Sequence, residues 1–165
     1  MLEGFRTGHR EAANMNTLDE LIAIRAIEGV KARYCRFLDT KRWAEWGMLF
    51  TENATLDVSE DVTPEMGPQI IHGRQAIVAQ VRGVVDTART THQVHSPEIT
   101  LISPTAASGI WAMHDVVVWP EGVARPVPGL NSLTGFGHYH ESYALAAGEW
   151  RIATLRLSRL QRILG

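Results

Sequence analysis

The chain has almost nothing with which to cross-link itself: 165 residues contain one cysteine, Cys35. A lone thiol cannot close an internal disulfide and lacks the companions of a zinc site. Cys35, inside a helical pattern, reads as a small buried hydrophobe. An excess of positive charge is missing too. Sixteen Lys and Arg stand against eighteen Asp and Glu, a formal net charge of −2, and the basic residues are scattered among acids, which argues against a nucleic-acid partner. No apolar run is long enough to span a bilayer. The opening MLEGFRTGHREAANMN holds no apolar segment of the kind that directs secretion. Together these absences lead us to expect a cytoplasmic protein that engages neither membrane nor nucleic acid. Hydrophobic residues make up 45% of the chain and charged residues 21%, a balance suited to one folded core.

The pattern divides the chain into an expected flexible arm over 1–15 and a single domain over 16–165. Within the domain, TLDE at Thr17–Glu20 has the form of a capping box. Leu21, Ile24, Ile27, Tyr34 and Leu38 then recur at helical spacing, while Arg25, Glu28, Lys31 and Arg36 read as solvated. A short second helix follows, with Asp39 or Thr40 as its cap. Asn53–Val58 alternates like a strand, and a Pro- and Gly-containing loop precedes a short edge strand at Gln69–His72. GRQAIVAQVRGVVDT gives a third helix, with Ile77, Val81, Val84 and Val85 on its buried side. Four long β-type runs then fill the C-terminal half, TTHQVHSPEITLIS through EWRIATLRLSRLQRIL. Their connections are short apart from a proline-containing loop at 120–131, so consecutive strands are expected to pair antiparallel. Helices first and sheet second predict an α+β fold. A strongly curved, mainly antiparallel sheet wrapped on N-terminal helices makes a cone-shaped α+β barrel whose mouth can hold a ligand.

The ionisable residues fall mostly on that sheet. By the period of two, Trp111, Met113, Asp115, Val117 and Trp119 share one face of their strand. An acid among such neighbours needs a partner, and His92 or His95 on the preceding strand can supply it. The two histidines are three apart and point to opposite faces, so only one can serve. A His–Asp pair in an apolar pocket suits acid–base work; it equally suits two core groups that satisfy each other. Tyr34 reads as a core aromatic with its hydroxyl at the rim, and Asp39 as a cap. On the last strand, Arg156 alternates with Arg151 and Arg159, and the alternation alone does not choose which arginine faces inward.

IRAIEGVKARYCRFLDTKRWAEWGMLFTENATLDV, GRQAIVAQV, TTHQVHSPEI and GEWRIATLRLSRL, in that order and spacing, resemble the SnoaL-like group of the nuclear-transport-factor-2-like superfamily. The resemblance covers Leu18 to Leu160. It implies a small-molecule enzyme without metal or organic cofactor, related to polyketide cyclases, scytalone dehydratase and bile acid 7α-dehydratases. The dehydratase members use a Tyr and an Asp near the end of the first helix, a His on a central strand, an Asp on the next strand and a late Arg. The matching residues are Tyr34, Asp39, His92, Asp115 and Arg156, and the resemblance favours His92 over His95. On this basis His92, oriented by Asp115, removes a proton beside a carbonyl, with Tyr34, Asp39 and Arg156 assisting.

Trp43, Trp46, Trp111, Met113, Trp119 and Phe136 are the expected walls of a broad apolar pocket for a steroid-like or polyketide-like ring. Three readings compete: a dehydratase or isomerase; a cyclase, or an epoxide hydrolase using Asp57, Arg156 and Asp115 as an Asp–Arg–Asp set; and a non-catalytic module that binds a ligand or a protein. The resemblance also implies a homodimer or homotrimer, packed through the outer sheet face near Val116, Val118, His138 and His140.

Overall fold

Asn16 starts the first helix: its side-chain oxygen accepts from the backbone N–H groups of Leu18 and Asp19, both at 3.0 Å. The cap therefore lies one residue before the expected Thr17, because the asparagine side chain already satisfies the free donors of the first turn. Asp19 and Glu20 in that turn and Arg36 in the last complement the helix dipole.

The protein is described by a computed structural model over residues 16–61 and 69–165, and the arm expected over 1–15 lies outside the described residues. The elements run α1 (Thr17–Asp39), α2 (Trp43–Gly47), β1 (Phe50–Asp57), β2 (Ile70–His72), α3 (Arg74–Val85), β3 (Arg89–Ser103), β4 (Ala106–Val118), β5 (Ser132–Ala146) and β6 (Glu149–Leu164). The strands form one mixed sheet in the order β2-β1-β6-β5-β4-β3. β3, β4, β5 and β6 pair antiparallel in sequence, as the short connections require, and β1 runs parallel to β6. This is the cone-shaped α+β fold expected from the sequence, with the sheet left open. No described helix is long and apolar enough to cross a membrane.

Ile27, Val30, Tyr34, Phe37 and Leu38 of α1 pack with Trp46, Phe50, Leu56 and Ile77 and with the inner sheet face at Trp111, Met113, Tyr139, Tyr143, Leu155 and Leu157. Two departures from strict alternation decide what faces that core. β6 pairs Ile152 with Tyr143 but Thr154 with Ser142, so Ala153 is an extra residue in the ladder. A bulge of this kind moves the following residues to the other face. Trp150 and Ile152 are buried before it, Leu155 and Leu157 after it. Arg159 follows Leu157 inward, and Arg156 points out. The second departure lies on α1, where the stripe Ile27, Tyr34, Leu38 also passes through Lys31. Lys31 is fully buried, contrary to its reading as solvated, because Glu141 on the inner face of β5 meets its ammonium at 2.5 Å.

Candidate functional site

The expected His–Asp pair exists with a different acid. The backbone register does set His92 opposite Asp115, yet the imidazole's carboxylate partner is Asp39. His92 Nδ1 lies 2.6 Å from Asp39 Oδ1, and the His92 backbone N–H donates to Asp39 Oδ2 at 2.8 Å. Thr90 Oγ1 donates to the same carboxylate at 2.9 Å and receives a bond from Lys41 Nζ at 2.9 Å. Asp39 is thus the last residue of α1 and a clamp on β3, not the cap of α2, whose N-cap Arg42 makes no side-chain capping bond. Lys41 has a positive φ of 58°, which turns the chain sharply there. A carboxylate on Nδ1 holds the proton on that nitrogen and leaves Nε2 with its lone pair free.

Asp115 is held instead by Arg159. Arg159 Nη1 and Nη2 donate to Asp115 Oδ1 and Oδ2 at 2.8 and 2.9 Å. Its Nε and Nη2 donate to Asp61 Oδ1 and Oδ2 at 2.8 and 3.0 Å. Burial alone would lower the guanidinium's pKa, but the two carboxylates outweigh it and hold the pKa above its ordinary value. Arg159 must cross β5 to reach Asp115, and it does so over Gly135. A Cβ there would sit 2.1 Å from Arg159 Nη1 and 2.3 Å from Asp115 Oδ1. Arg156, the arginine chosen by resemblance, is half-exposed and reaches Glu60 at 3.3 Å. The looser alternative of Asp57, Arg156 and Asp115 is not assembled either: the Asp57 carboxylate bonds Ser59.

Both clusters border one cavity of about 160 Å³ between α1, α3, the sheet and the 120–131 loop. Tyr34, Asp61, Gln80, His92, Asp115, Tyr139 and Arg159 supply its polar lining. Leu38, Val81, Val84, Val85, Trp119, Pro126, Leu130 and Leu157 contribute to its apolar walls. Burial raises the Tyr34 and Tyr139 hydroxyls well above the ordinary phenol pKa, so both remain donors at neutral pH. The Lys31 ammonium lies 4.1 Å from the Tyr34 ring centre and 3.6 Å from that of Tyr139, bracing both rings from behind.

Of the expected pocket residues, Trp119 alone lines the cavity. Trp46 is fully buried against Tyr34 and Phe50, and the Trp43 indole donates to Asp86. Trp111 bonds the Tyr143 hydroxyl. Met113 lies behind Arg159, its sulfur 3.6 Å from Nη1. Phe136 is on the outer sheet face, stacked on His114 at 4.6 Å. The tryptophans were expected at the pocket because they are large and apolar, but the fold uses most of them as core. Sequence reasoning missed Asp61, Tyr139 and Arg159 as site residues. Tyr139 carried a signal, since it shares a strand face with Glu141 and Tyr143; Asp61 in its loop carried none.

The helices followed by an open, cone-shaped sheet define the class of protein to which the chain belongs. The chain belongs to the SnoaL-like domain family, whose model matches residues 19–156. It is 29% identical over 138 residues to Probable cyclase FGR4 of Gibberella zeae, covering 81% of this chain and 89% of that protein. Among solved structures, a scytalone dehydratase-like protein of Novosphingobium aromaticivorans superimposes with a TM-score of 0.74 at 18% identity, over 90% of this chain and 91% of that one. The hexachlorocyclohexane dehydrochlorinase LinA-type3 of Novosphingobium barchaimii gives 0.73 at 17% identity, over 91% and 94%.

Proposed function

We propose that the protein is an enzyme that catalyses a cofactor-independent elimination or isomerisation on a small cyclic carbonyl compound, with His92 as its base. The observation that carries this reading is the His92–Asp39 clamp at 2.6 Å beside the cavity. Asp39 fixes the imidazole tautomer, and Nε2 takes a proton from the carbon next to the carbonyl. Tyr34 and Tyr139 donate to the enolate oxygen as charge develops there. His92 then returns its proton to the departing β-hydroxyl, which leaves as water and restores the neutral imidazole. Two structural neighbours are named as a dehydrochlorinase and a dehydratase-like protein, and both names denote eliminations. The 160 Å³ cavity is close to one known to hold a benzene ring, about 150 Å³, and favours a single ring over a steroid.

The test follows the α-carbon directly. 3-Hydroxycyclohexanone in deuterated water should exchange its α-protons and form cyclohexenone in the presence of the protein. His92→Gln should abolish both, and Asp39→Ala should slow both by about 10²–10⁴-fold. Exchange that survives His92→Gln rejects the reading.

A second reading has its own observation. Asp61, Arg159 and Asp115 form two carboxylates bridged by one guanidinium, a set suited to holding water against an epoxide. Conversion of cyclohexene oxide to the diol, abolished by Asp115→Asn and untouched by His92→Gln, would select it.

A further inference from the structure

Among the described residues lining the cavity, Arg159 is the one guanidinium, and every donor it has is already occupied. A guanidinium offers five N–H groups. Nε serves Asp61, Nη1 serves Asp115 and the Met113 sulfur, and Nη2 serves Asp61 and Asp115. The side chain is 6% exposed, and two carboxylates flank it. Among the described residues that line the cavity, the carboxylates and the guanidinium therefore contribute two negative formal charges and one positive. An incoming carboxylate or phosphate finds no free cationic donor and two resident anions.

We propose that Asp61 is a specificity-determining residue that closes the cavity to anionic ligands and reserves it for uncharged ring compounds. Asp61 comes from the loop after β1, and its side chain is 23% exposed at the cavity's edge. It holds two of the five donors of Arg159 while Asp115 stays paired on the inner side. Replacing it with a neutral group frees the outer edge of the guanidinium, the fork geometry that recognises carboxylates. Asp115 would remain fully paired, so the change is confined to what the mouth admits. The inference rests on the cavity's being the ligand site, and it concerns charge selection, which the chemistry of His92 leaves open.

Benzamide and benzoate have nearly the same shape and differ in charge. Their binding is measured by titration into the full chain at pH 7, read by amide chemical shifts and calorimetry. Wild type should bind benzamide at least tenfold more tightly than benzoate. Asp61→Asn should tighten benzoate about tenfold or more with little change for benzamide, and Asp61→Glu should keep the wild-type preference. The amide spectrum shows directly whether each variant is folded; if Asp61→Asn is not, the wild-type comparison and Asp61→Glu still decide. Equal or tighter benzoate binding by wild type overturns the proposal, as does an unchanged ratio in folded Asp61→Asn. If benzamide binds and benzoate is not excluded, this inference alone falls. If neither probe shifts cavity resonances, the ligand-site reading falls and takes this inference with it.

Discussion

Gly135 is the position where one methyl group should do the most damage to the site. The Arg159–Asp115 pair crosses β5 through the space a side chain would fill, and a Cβ would stand 2.1 Å and 2.3 Å from the two partners. Neither distance can be tolerated, and neither partner has an easy retreat, since their side chains are 6% and 5% exposed. Gly135→Ala must therefore separate them or push the strand aside. Separating a buried pair while leaving both charges in place costs about 3–5 kcal/mol. Arg159 keeps Asp61, so the lower end, about 3 kcal/mol, is expected. At about 2–4 °C per kcal/mol for a chain of this size, the midpoint of thermal unfolding should fall by about 6–12 °C. Gly83 in α3 is the control, because nothing lies within 4 Å of its Cβ position; Gly83→Ala should stabilise by about 0.5–1 kcal/mol through helix propensity. Differential scanning calorimetry of the three proteins decides the matter. If Gly135→Ala melts within about 2 °C of wild type, the pair does not need the gap.

Three further outcomes can be checked on the same preparation. Lys31→Met should destabilise by about 3–5 kcal/mol in urea unfolding, because it strands the Glu141 carboxylate, whereas Lys31→Met with Glu141→Leu should recover most of that loss. Alkaline titration should weaken the fold: burial pushes the Cys35 thiol from its ordinary 9.0 up to about 11 and raises Tyr34, Tyr139 and Tyr143. A raised acid is protonated longer in the folded state, so its stabilisation is complete below pH 9 and is lost as pH rises from 9 through 11. The Cys35 part is on the order of 3 kcal/mol, and Cys35→Ala should flatten the first part of that decline. The partly buried Cys35 thiol, with its raised pKa, should also react slowly with Ellman's reagent at pH 8, and modification of the folded protein as fast as that of a free thiol would contradict this.

The fold was legible because its signals are local and repeated. Helical stripes and two-residue alternation recur over twelve to twenty-three residues in α1, α3 and the four long strands, and short connections leave consecutive strands little choice but to pair antiparallel. The facing of Trp111, Met113 and Asp115 could be read from parity for the same reason. The candidate site was legible in its residue types more than in its pairings. Tyr34, Asp39, His92 and Asp115 are all at or beside the cavity, yet which acid holds the histidine depends on how the end of α1 docks on β3. No spacing along the chain encodes that distance. Lys31 lay in plain view within the apolar stripe of α1, and its partner Glu141 sat between Tyr139 and Tyr143 on one strand face. Two charges at apolar positions of different elements are a signal for each other.

The arginine shows why alternation failed where it mattered. Parity counted from Trp150 points Arg156 inward, and parity counted from Leu157 points Arg159 inward; both counts are correct on their own side of Ala153. The bulge that separates them leaves one residue unpaired in the ladder, and the same irregularity puts a guanidinium, not an apolar side chain, beneath the cavity. That placement then requires a carboxylate on β4, a gap in β5 and a capping acid from the loop after β1. Asp115, Gly135 and Asp61 meet those three needs from three distant parts of the chain. A single added residue in one strand thus sets the charge of the whole pocket. Deleting Ala153 should turn Arg159 outward and leave Asp115 as a buried acid without its partner.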